Sequence, residues 1–361
     1  MKYEILGHEG LLHSIGKEIQ NVFQNLFKQR GKWRRKAAEL DGYYSTDAPR
    51  AKNERKMVVY MVDGRTKHGG LADRLRGIIS TYDVCKQLGY DFRIYFVHPF
   101  RLDDYLVPAT FDWRVSEEEL CYNPQDSSVV YCGSNGTHVE LPFQRLYLKQ
   151  RMQKATKQVH VYTNAHLLQR GGKFSQRFNE LFRPSPALEE ALNTHLANLA
   201  PRIPELRSPT RSLSSHLAPR TSSYVSMTLR FQQLLGDFKE NNYVTLSADE
   251  QQKLIDRCID KIDELHRGMP EKRVLVTADS NRFLEEASKR LSYIYVVHGK
   301  VAHMDWSENI PFEVNLKSFL DLMMISRAER AYLLQTGLMY NSGFPRRAAQ
   351  IGNIPFCHVK F

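Results

Sequence analysis

The sequence contains little cysteine, and its cysteines are not arranged in pairs. There are five of them, an odd number scattered over 361 residues, and no two form a CxxC pair. A disulfide framework needs an even set, and a structural zinc site needs closely spaced ligands. The pattern argues against both, and we expect free thiols that mostly fill the core.

Long apolar runs are also missing. No stretch of about 20 apolar residues, the length that a membrane-spanning helix needs, occurs in the chain. Residues 1–10 lack the apolar core and the small-residue cleavage site of a signal peptide. With 42% hydrophobic and 25% charged residues, the composition is typical of a soluble globular protein, which we expect in the cytoplasm.

Basic residues outnumber acidic ones by 51 to 40, which gives a formal net charge of +11. This excess predicts an anionic partner, either nucleic acid, an anionic membrane or a phosphorylated substrate. The chain has no zinc-finger spacing, no RNP-like aromatic motif and no single dominating basic helix. We therefore expect no nucleic acid among its partners.

Residues 1–56 are interpreted as an N-terminal helix and linker. Residues 11–40 predict an amphipathic helix that ends in the basic stretch KQRGKWRRK. Such an end suits peripheral attachment to an anionic inner membrane face, but it also suits a helix packed on the protein body with a solvated basic end. The apolar stripe consists of Leu11, Leu12, Ile15, Ile19, Val22, Phe23, Leu26 and Phe27.

From residue 57 onward, predicted strands alternate with predicted helices, which indicates α/β architecture with mostly parallel sheets. The stretch 183–223 is rich in Pro, Ser and Arg and is interpreted as a boundary. We predict two Rossmann-like lobes, residues 57–220 and 221–361, that face a cleft. The predicted strands are 57–62, 92–96, 128–132, 159–162, 224–230, 274–277 and 293–297, and the predicted helices are 71–88, 248–266, 281–291, 318–326 and one from about 343.

The most informative stretch is MVVYMVDGRTKHGGLADRLRG at residues 57–77. An apolar strand leads through a glycine-containing turn to the N-terminus of an amphipathic helix. Gly69 and Gly70 let backbone N–H groups approach a phosphate, and Arg74 and Arg76 add positive charge. The stretch predicts an anion site, although such turns also occur as plain connections.

Polar residues follow the strands predicted in the second lobe, where ligands of open α/β sheets bind. Arg230 ends a strand, and its guanidinium can hold a diphosphate or close a salt bridge between the lobes. Asp279 or Ser280 can cap the next helix, and the Asp279 carboxylate can also reach a base or a ribose. These positions predict one nucleotide site.

Two arginines stand in the first turn of the last predicted helix. Asn341, Ser342 and Gly343 precede this helix, and Arg346 and Arg347 lie within its first turn. The helix dipole disfavours cations there unless an anion is bound. The pattern indicates a phosphate site, or arginines exposed on a basic surface.

Four blocks of the sequence resemble the GDP-fucose-dependent fucosyltransferase superfamily, which includes nodulation, α1,6 and protein O-fucosyltransferases. The resemblance covers most of residues 57–361, depends on the order and spacing of the blocks, and is closest to bacterial enzymes of surface polysaccharides. The blocks are HGGLADRLRG at 68–77, YVSMTLRFQQLLGDFKE at 224–240, VLVTADSNRFLEEA at 274–287 and MYNSGFPRRAAQIG at 339–352.

The resemblance implies a GT-B fold that transfers fucose with inversion and without an obligatory metal or other cofactor. GDP-fucose, the donor substrate, is then held mainly by the C-terminal lobe. Arg230 matches the arginine that binds the β-phosphate, while Thr228 stands where the family commonly has His. Asp279 and Ser280 match the acidic motif near guanine and ribose.

Residues of this sequence also match two further motifs of the family. Ser342 and Gly343 match the late small-residue block near the phosphates. Gly69, Gly70 and Asp73 match the glycine motif of the N-terminal lobe, beside the sugar.

The residue types fit this chemistry. Negative charge develops on the leaving diphosphate, and Arg230 is the first candidate to stabilise it. Asp73 and His68 are candidates for the general base that takes the acceptor proton, although an acid in the first turn of a helix is also favoured structurally. The second rank of cationic candidates consists of Arg74, Arg76 and Arg346.

We predict a fucosyltransferase that modifies a glycan or a lipid-linked oligosaccharide in cell-surface polysaccharide biosynthesis. No metal site is predicted, because His298, His303 and Asp305 follow a strand in a pattern that favours loop roles. Three alternatives stay open. The chain can use another nucleotide sugar in the same fold, be a non-catalytic nucleotide-binding homologue, as Thr228 hints, or bind nucleic acid through its basic charge.

Overall fold

The computed structural model describes residues 8–133, 141–168, 173–199, 224–237, 244–300 and 311–361, with only the backbone at 8–19, 22 and 23. The helices are α1 His8–Asp41, α2 Leu71–Leu88, α3 Leu141–Met152, α4 Phe174–Leu181, α5 Pro186–Leu199, α6 Ala248–Arg267, α7 Asn281–Arg290, α8 Phe312–Ser326 and α9 Phe344–Gly352. The strands are β1 Met57–Val62, β2 Asp91–Phe96, β3 Leu106–Pro108, β4 Ser127–Cys132, β5 Gln158–Thr163, β6 Phe182–Pro184, β7 Tyr224–Leu229, β8 Arg273–Ala278, β9 Ile294–Tyr295, β10 Ala331–Gln335 and β11 Phe356–Lys360.

The first unit comprises Met1–His68, Asp73–His98 and Asp112–Lys173 and contains a parallel sheet of order β2-β1-β5-β4. Every residue of β1 is buried, because apolar side chains cover both faces of this inner strand. On one face, Ala37 and Leu40 of α1 pack with Val59 and Met61 of β1. The last turns of α1 therefore belong to the core of this unit.

Helix α2 approaches the sheet of the first unit very closely at Gly77. A Cβ added there would lie 2.1 Å from the Thr163 carbonyl oxygen and 2.5 Å from the Tyr60 hydroxyl. The same hydroxyl donates to the Thr163 carbonyl at 2.6 Å. Only glycine leaves room for this contact between helix and strand.

A buried chain of hydrogen bonds runs along β5. The Gln158 amide donates to Asn53 Oδ1 at 2.9 Å and to the Glu119 carbonyl at 2.8 Å, so Gln158 Oε1 can only accept. The fully buried His160 must then donate from Nε2 to this oxygen, at 3.1 Å, and accept at Nδ1 from the Tyr44 hydroxyl. Burial lowers the pKa of His160 to about 3, so the ring stays neutral near pH 7.

The second unit comprises Gly69–Ala72, Pro99–Phe111 and Phe174–Phe361 and contains a parallel sheet of order β11-β10-β7-β8-β9. Val225, Met227 and Leu229 of β7 pack with apolar residues of α6 and α7 on one face. Side chains alternate along a strand, so Ser226 and Thr228 lie on the opposite face. Helix α8 lies on that side, where the Tyr224 hydroxyl donates to the Met324 carbonyl at 2.7 Å.

The two parallel sheets confirm the predicted α/β class with two Rossmann-like lobes. The predicted strands and helices are all present within the described residues; β1 and α2 have the predicted bounds, and the others have shifted ends. Helices α3 and α4 were not predicted. Three-residue strands β3 and β6, and strands β10 and β11, were not predicted. Among the helices that the structure describes, none combines enough length with enough apolar character to cross a membrane.

The predicted boundary near residue 220 is corrected by the structure, which divides the chain at Lys173 and Phe174. β6 pairs antiparallel with β3, with Leu106 opposite Pro184, which joins residues 99–111 to the second unit. α5 packs against α8 of the same unit. Residues 200–223, the rest of the predicted linker, lie outside the described residues.

Candidate functional site

Arg230 follows β7 directly, at the carboxyl edge of the second unit's sheet. The register pairs Leu229 of β7 with Ala278 of β8, so the next residues, Arg230 and Asp279, stand side by side. Arg230 Nε lies 3.2 Å from Asp279 Oδ2, and the arginine side chain is 20% exposed. The guanidinium is therefore held by a carboxylate on one side while part of it reaches solvent.

Asp279 binds Arg230 and also holds the turn that follows β7. Its Oδ1 accepts the Phe231 N–H at 2.8 Å, and its Oδ2 accepts the Gln232 N–H at 2.7 Å. Gln232 has φ +55°, a left-handed conformation that a non-glycine residue rarely adopts. Burial raises the pKa of Asp279, while Arg230 and the two amides act in the opposite direction.

The Asp279 carboxylate is thus engaged on both oxygens and only 2% exposed. This arrangement makes it a positioning residue for Arg230. Its predicted contact to a ribose or a base stays a prediction.

Ser280, and not Asp279, caps the next helix. Ser280 Oγ accepts the Phe283 N–H at 3.1 Å and donates to Asp237 Oδ2 at 2.8 Å. Asp237 also accepts the Arg282 N–H at 3.0 Å. The cap was predicted from the sequence, whereas Asp237, which strengthens this helix start, was not.

Thr228 is buried and lies two residues before Arg230, so both side chains are on the same side of the extended chain. Its hydroxyl forms a hydrogen bond of 2.8 Å with the Thr277 hydroxyl on β8. Each hydroxyl can still form a second hydrogen bond, because a hydroxyl donates once and accepts twice. The register of β7 and β8 thus places these two hydroxyls side by side.

The loop after β10 lies against the end of β7, where the Tyr340 N–H donates to the Arg230 carbonyl at 3.0 Å. This loop leads through Ser342 to Gly343, which begins α9 without a side-chain cap. Ser342 Oγ accepts the Phe344 N–H at 3.2 Å. This bond engages the first N–H of α9, and Pro345 at the second position has no N–H. The positive end of the helix dipole, close to Arg230, still favours negative charge there.

The two arginines at the start of α9 differ in environment. Arg346 is exposed and lies over the Phe356 ring, 5.0 Å from its centroid, on the edge strand β11. Arg347 is buried and lies over the Phe174 ring at 4.9 Å. Contact of Arg346 with a phosphate stays a prediction, and Arg347 contributes to packing.

Thr336, which directly follows β10, was missed by the sequence reasoning. It is 3% exposed, and its Oγ1 has no hydrogen-bond partner among the described residues. It begins the block that precedes α9, so its place after an apolar strand was the available signal. A polar group of a bound nucleotide would satisfy this hydroxyl.

In the first unit, Asp73 and Arg76 form an ion pair of 2.9 Å on α2. Arg76 Nε donates to the Asn164 carbonyl at 2.6 Å, and Asn164 Nδ2 donates to the His68 carbonyl at 3.2 Å. The sequence reasoning missed Asn164, which comes just after β5 and joins the predicted residues. Asp73 is 43% exposed and accessible to a substrate.

His68 and Arg74 are both buried, which corrects two predicted roles. The His68 ring is 2% exposed and lies between Tyr60 and Tyr162, at 5.9 and 6.1 Å, so it is not accessible as a general base. Arg74 is 1% exposed, lies over the Phe96 ring and donates to a backbone carbonyl at 2.8 Å. It holds the loop after β2 and is not accessible to a phosphate.

The glycine turn also differs from the prediction in one position. Gly69 has φ +82°, which requires glycine, whereas Gly70 has no such angle and a Cβ on it would meet no described atom within 4 Å. No cluster of three or more His, Cys, Asp and Glu side chains suited to a metal is found in the described part of the chain. His303 and Asp305 lie outside it.

No protein-family model matches this chain, and no curated protein matches it. Its structure is similar to that of NodZ α-1,6-fucosyltransferase soaked with GDP-fucose, with a TM-score of 0.49 and 11% identity over 83% of this chain and 93% of that chain. The structure of the fucosyltransferase NodZ from Bradyrhizobium is similar with a TM-score of 0.48 and 10% identity, over 82% of this chain and 93% of that chain. POFUT1 in complex with GDP is similar with a TM-score of 0.44 and 11% identity, over 86% of this chain and 99% of that chain.

Proposed function

We propose that this protein is a glycosyltransferase that transfers fucose from GDP-fucose, with inversion, to a glycan or a lipid-linked oligosaccharide. The single observation that carries the proposal is the arrangement around Arg230. Asp279 holds the Arg230 guanidinium, and the loop that leads to the start of α9 lies on the Arg230 carbonyl. A partly exposed guanidinium next to a helix N-terminus is suited to a diphosphate.

In the proposed reaction, the acceptor oxygen attacks the anomeric carbon of fucose and the bond from that carbon to the β-phosphate oxygen breaks. The electron pair of this bond leaves with GDP, and Arg230 stabilises the charge that develops there. The acceptor proton passes to a general base, for which Asp73 is the accessible candidate. We assign no obligatory metal, since arginine and helix N–H groups can supply the positive charge.

Further parts of the proposal come from the sequence alone. We place the reaction in the cytoplasm, in the biosynthesis of a cell-surface polysaccharide. The four blocks that resemble the fucosyltransferase superfamily support GDP-fucose over other donors.

A thermal-shift and calorimetric titration with GDP tests the first step. GDP should stabilise the protein against unfolding, as a ligand of the folded state does. Arg230→Ala should raise the Kd for GDP by about 10- to 100-fold, because a hydrogen bond to a charged group contributes about 1.5–3 kcal/mol. Arg230→Lys should recover only part of this, because lysine lacks the bidentate fork.

Arg290→Ala is the matched control. Arg290 pairs with Asp256 at 2.5 Å in the same unit, away from the carboxyl edge of the sheet, and its loss should leave GDP binding unchanged. Absence of any stabilisation by GDP, or equal effects of the two alanine variants, would contradict the proposal. Release of GDP from GDP-fucose, GDP-mannose and UDP-sugars then identifies the donor.

A non-catalytic nucleotide-binding protein is the second candidate. The observation that favours it is Thr228, whose hydroxyl is bonded to Thr277 where the family commonly has an imidazole. This candidate predicts GDP binding that depends on Arg230, without turnover of any donor. Thr228→His should then not create activity.

A further inference from the structure

A groove lined by apolar side chains lies on the first unit, between α1 and α3. Its volume is ≈ 180 Å³, and Leu26, Phe27, Phe143 and Leu146 line it. Phe27 is 70% exposed, Leu146 51% and Phe143 43%. Three large apolar side chains exposed around one groove mark an interaction surface, because single exposed residues are common but clusters are not.

The floor of the groove is rigid and belongs to the protein body. Trp33 is buried at 7% exposure and packs against Tyr147, with ring centroids 5.2 Å apart. The tryptophan is therefore not the part of α1 that reaches a partner. The end of α1 packs on the protein body, as one of the two sequence interpretations predicts, and attachment to a membrane stays a prediction.

The two helical stretches that carry the groove are strongly basic. Residues 20–38 of α1 and all of α3 contain no acidic residue. The Arg30 guanidinium lies 6.0 Å from the centroid of the Tyr147 ring, and the nearest acidic side chain along α1, Glu39, pairs with Lys36 at 2.7 Å. Arg30 is the basic residue that lines the groove. The same two helices also carry Lys28, Lys32, Arg34, Arg35 and Lys36 on α1, and Lys149 and Arg151 on α3.

We propose that this basic apolar surface binds the face of an anionic phospholipid membrane. Phe27, Phe143 and Leu146 enter the boundary between headgroups and acyl chains, and the surrounding Lys and Arg side chains contact lipid phosphates. Anionic lipid is the one surface that offers both acyl chains and a dense layer of negative charge. A second copy of the chain would bring the same two basic helical stretches against each other, which charge repulsion opposes.

Nucleic acid fits this surface less well. It would satisfy the basic side chains of these helices, but it offers no apolar layer for Leu146 and Phe143 to enter. Bases stack on flat aromatic platforms, whereas this groove has aliphatic walls beside its rings. The apolar side chains therefore decide between the two anionic partners.

Vesicle flotation with the full chain tests the proposal. One set of vesicles is phosphatidylcholine alone, and the other contains one third phosphatidylglycerol. We expect binding to the anionic set only, weakened by salt. Replacing Arg30, Lys32 and Arg34 together by Gln should reduce binding about 100-fold, because each basic side chain near an anionic surface contributes about fivefold.

The apolar part is tested separately with Phe27→Ser, Phe143→Ser and Leu146→Ser combined. All three positions are exposed, so the fold should persist, and binding should fall at least tenfold even at low salt. Val244→Ser, at 62% exposure in the second unit, is the apolar control. Lys253→Gln with Arg267→Gln on α6, at 75% and 72% exposure, is the charge control, and both controls should bind like the parent.

Several results would overturn the proposal. These are equal binding to both vesicle sets, binding that survives in both groove variants, and a dimer in sedimentation that the groove variants dissociate while vesicles are not bound. Stronger retention on DNA than on anionic vesicles would also overturn it. The assay needs no sugar donor, so its failure would leave the proposed transfer reaction untouched.

Discussion

Replacing Asp279 by Asn should destabilise the second unit strongly. The carboxylate accepts two backbone N–H groups and pairs with Arg230, whereas an Asn side chain turns one of its oxygens into a donor that faces an N–H. Removing one partner of a buried ion pair costs about 3–5 kcal/mol. This is a large part of a stability of about 5–15 kcal/mol, so the urea midpoint should fall clearly.

The measurement is urea unfolding followed by far-UV circular dichroism for Asp279→Asn, Arg230→Met and the double variant. Because the two residues touch, the double variant should lose less free energy than the two single variants together, by at least about 1 kcal/mol. Asp256→Asn is the control. The side chain of Asp256 is 44% exposed and that of its partner Arg290 is 39% exposed, so loss of this ion pair should cost at most about 1 kcal/mol.

Calorimetry with GDP then separates positioning from contact. If Asp279 only positions Arg230, Asp279→Asn should weaken GDP binding about tenfold, and it should have no further effect once Arg230 is absent. A loss of less than 1 kcal/mol on Asp279→Asn, or strictly additive effects on stability, would refute the reasoning.

Three further predictions follow from other parts of the molecule. Lowering the pH from about 7 to about 5 should reduce the free energy of unfolding by about 2 kcal/mol. In this range the unfolded His160 ring takes up a proton, near its ordinary pKa of about 6.5, whereas the folded ring, with a pKa of about 3, stays neutral. His160→Gln should remove this pH-dependent contribution in urea titrations at both pH values. Asp73→Asn should lower kcat about 100-fold or more in a GDP-release assay with acceptor, and His68→Gln should act mainly on the melting temperature. Gly77→Ala should cost more than about 2 kcal/mol in the same urea assay, because its Cβ would lie 2.1 Å from the Thr163 carbonyl oxygen; a normal midpoint would contradict the close packing of α2.

The inner strands could be predicted from the sequence because both of their faces are buried. β1 and β7 are buried at every position, which gives a continuous apolar run in β1 and a run interrupted only by Ser226 and Thr228 in β7. β11 lies at the sheet edge with mostly half-buried residues, so FCHVK carries no clear pattern. β3 and β6 are three residues each and exist through their mutual pairing, which no local pattern encodes.

The boundary between the units was misplaced because composition does not encode packing. Residues 183–199 are rich in turn-forming residues, yet Pro184 pairs with Leu106 and α5 packs on α8. A segment that looks like a linker can belong to a core when distant residues cover it.

At the candidate site, residue types were predictable but their partners were not. Arg230 and the Ser280 cap follow from local sequence, since each depends on the end of one strand or the start of one helix. The pairing of Arg230 with Asp279, and of Thr228 with Thr277, depends on the register between β7 and β8. The sequence likewise could not show that His68 and Arg74 point into the core.

Helix α1 runs without a break from His8 to Asp41, and its last turns are packed in the first unit's core. The exposed part and the packed part therefore cannot rotate independently of each other. Whatever binds beside Phe27 also sets the tilt of the β2-β1-β5-β4 sheet relative to that partner. Deletions beyond Trp33 that also remove Ala37 and Leu40 would uncover Val59 and Met61 on the sheet.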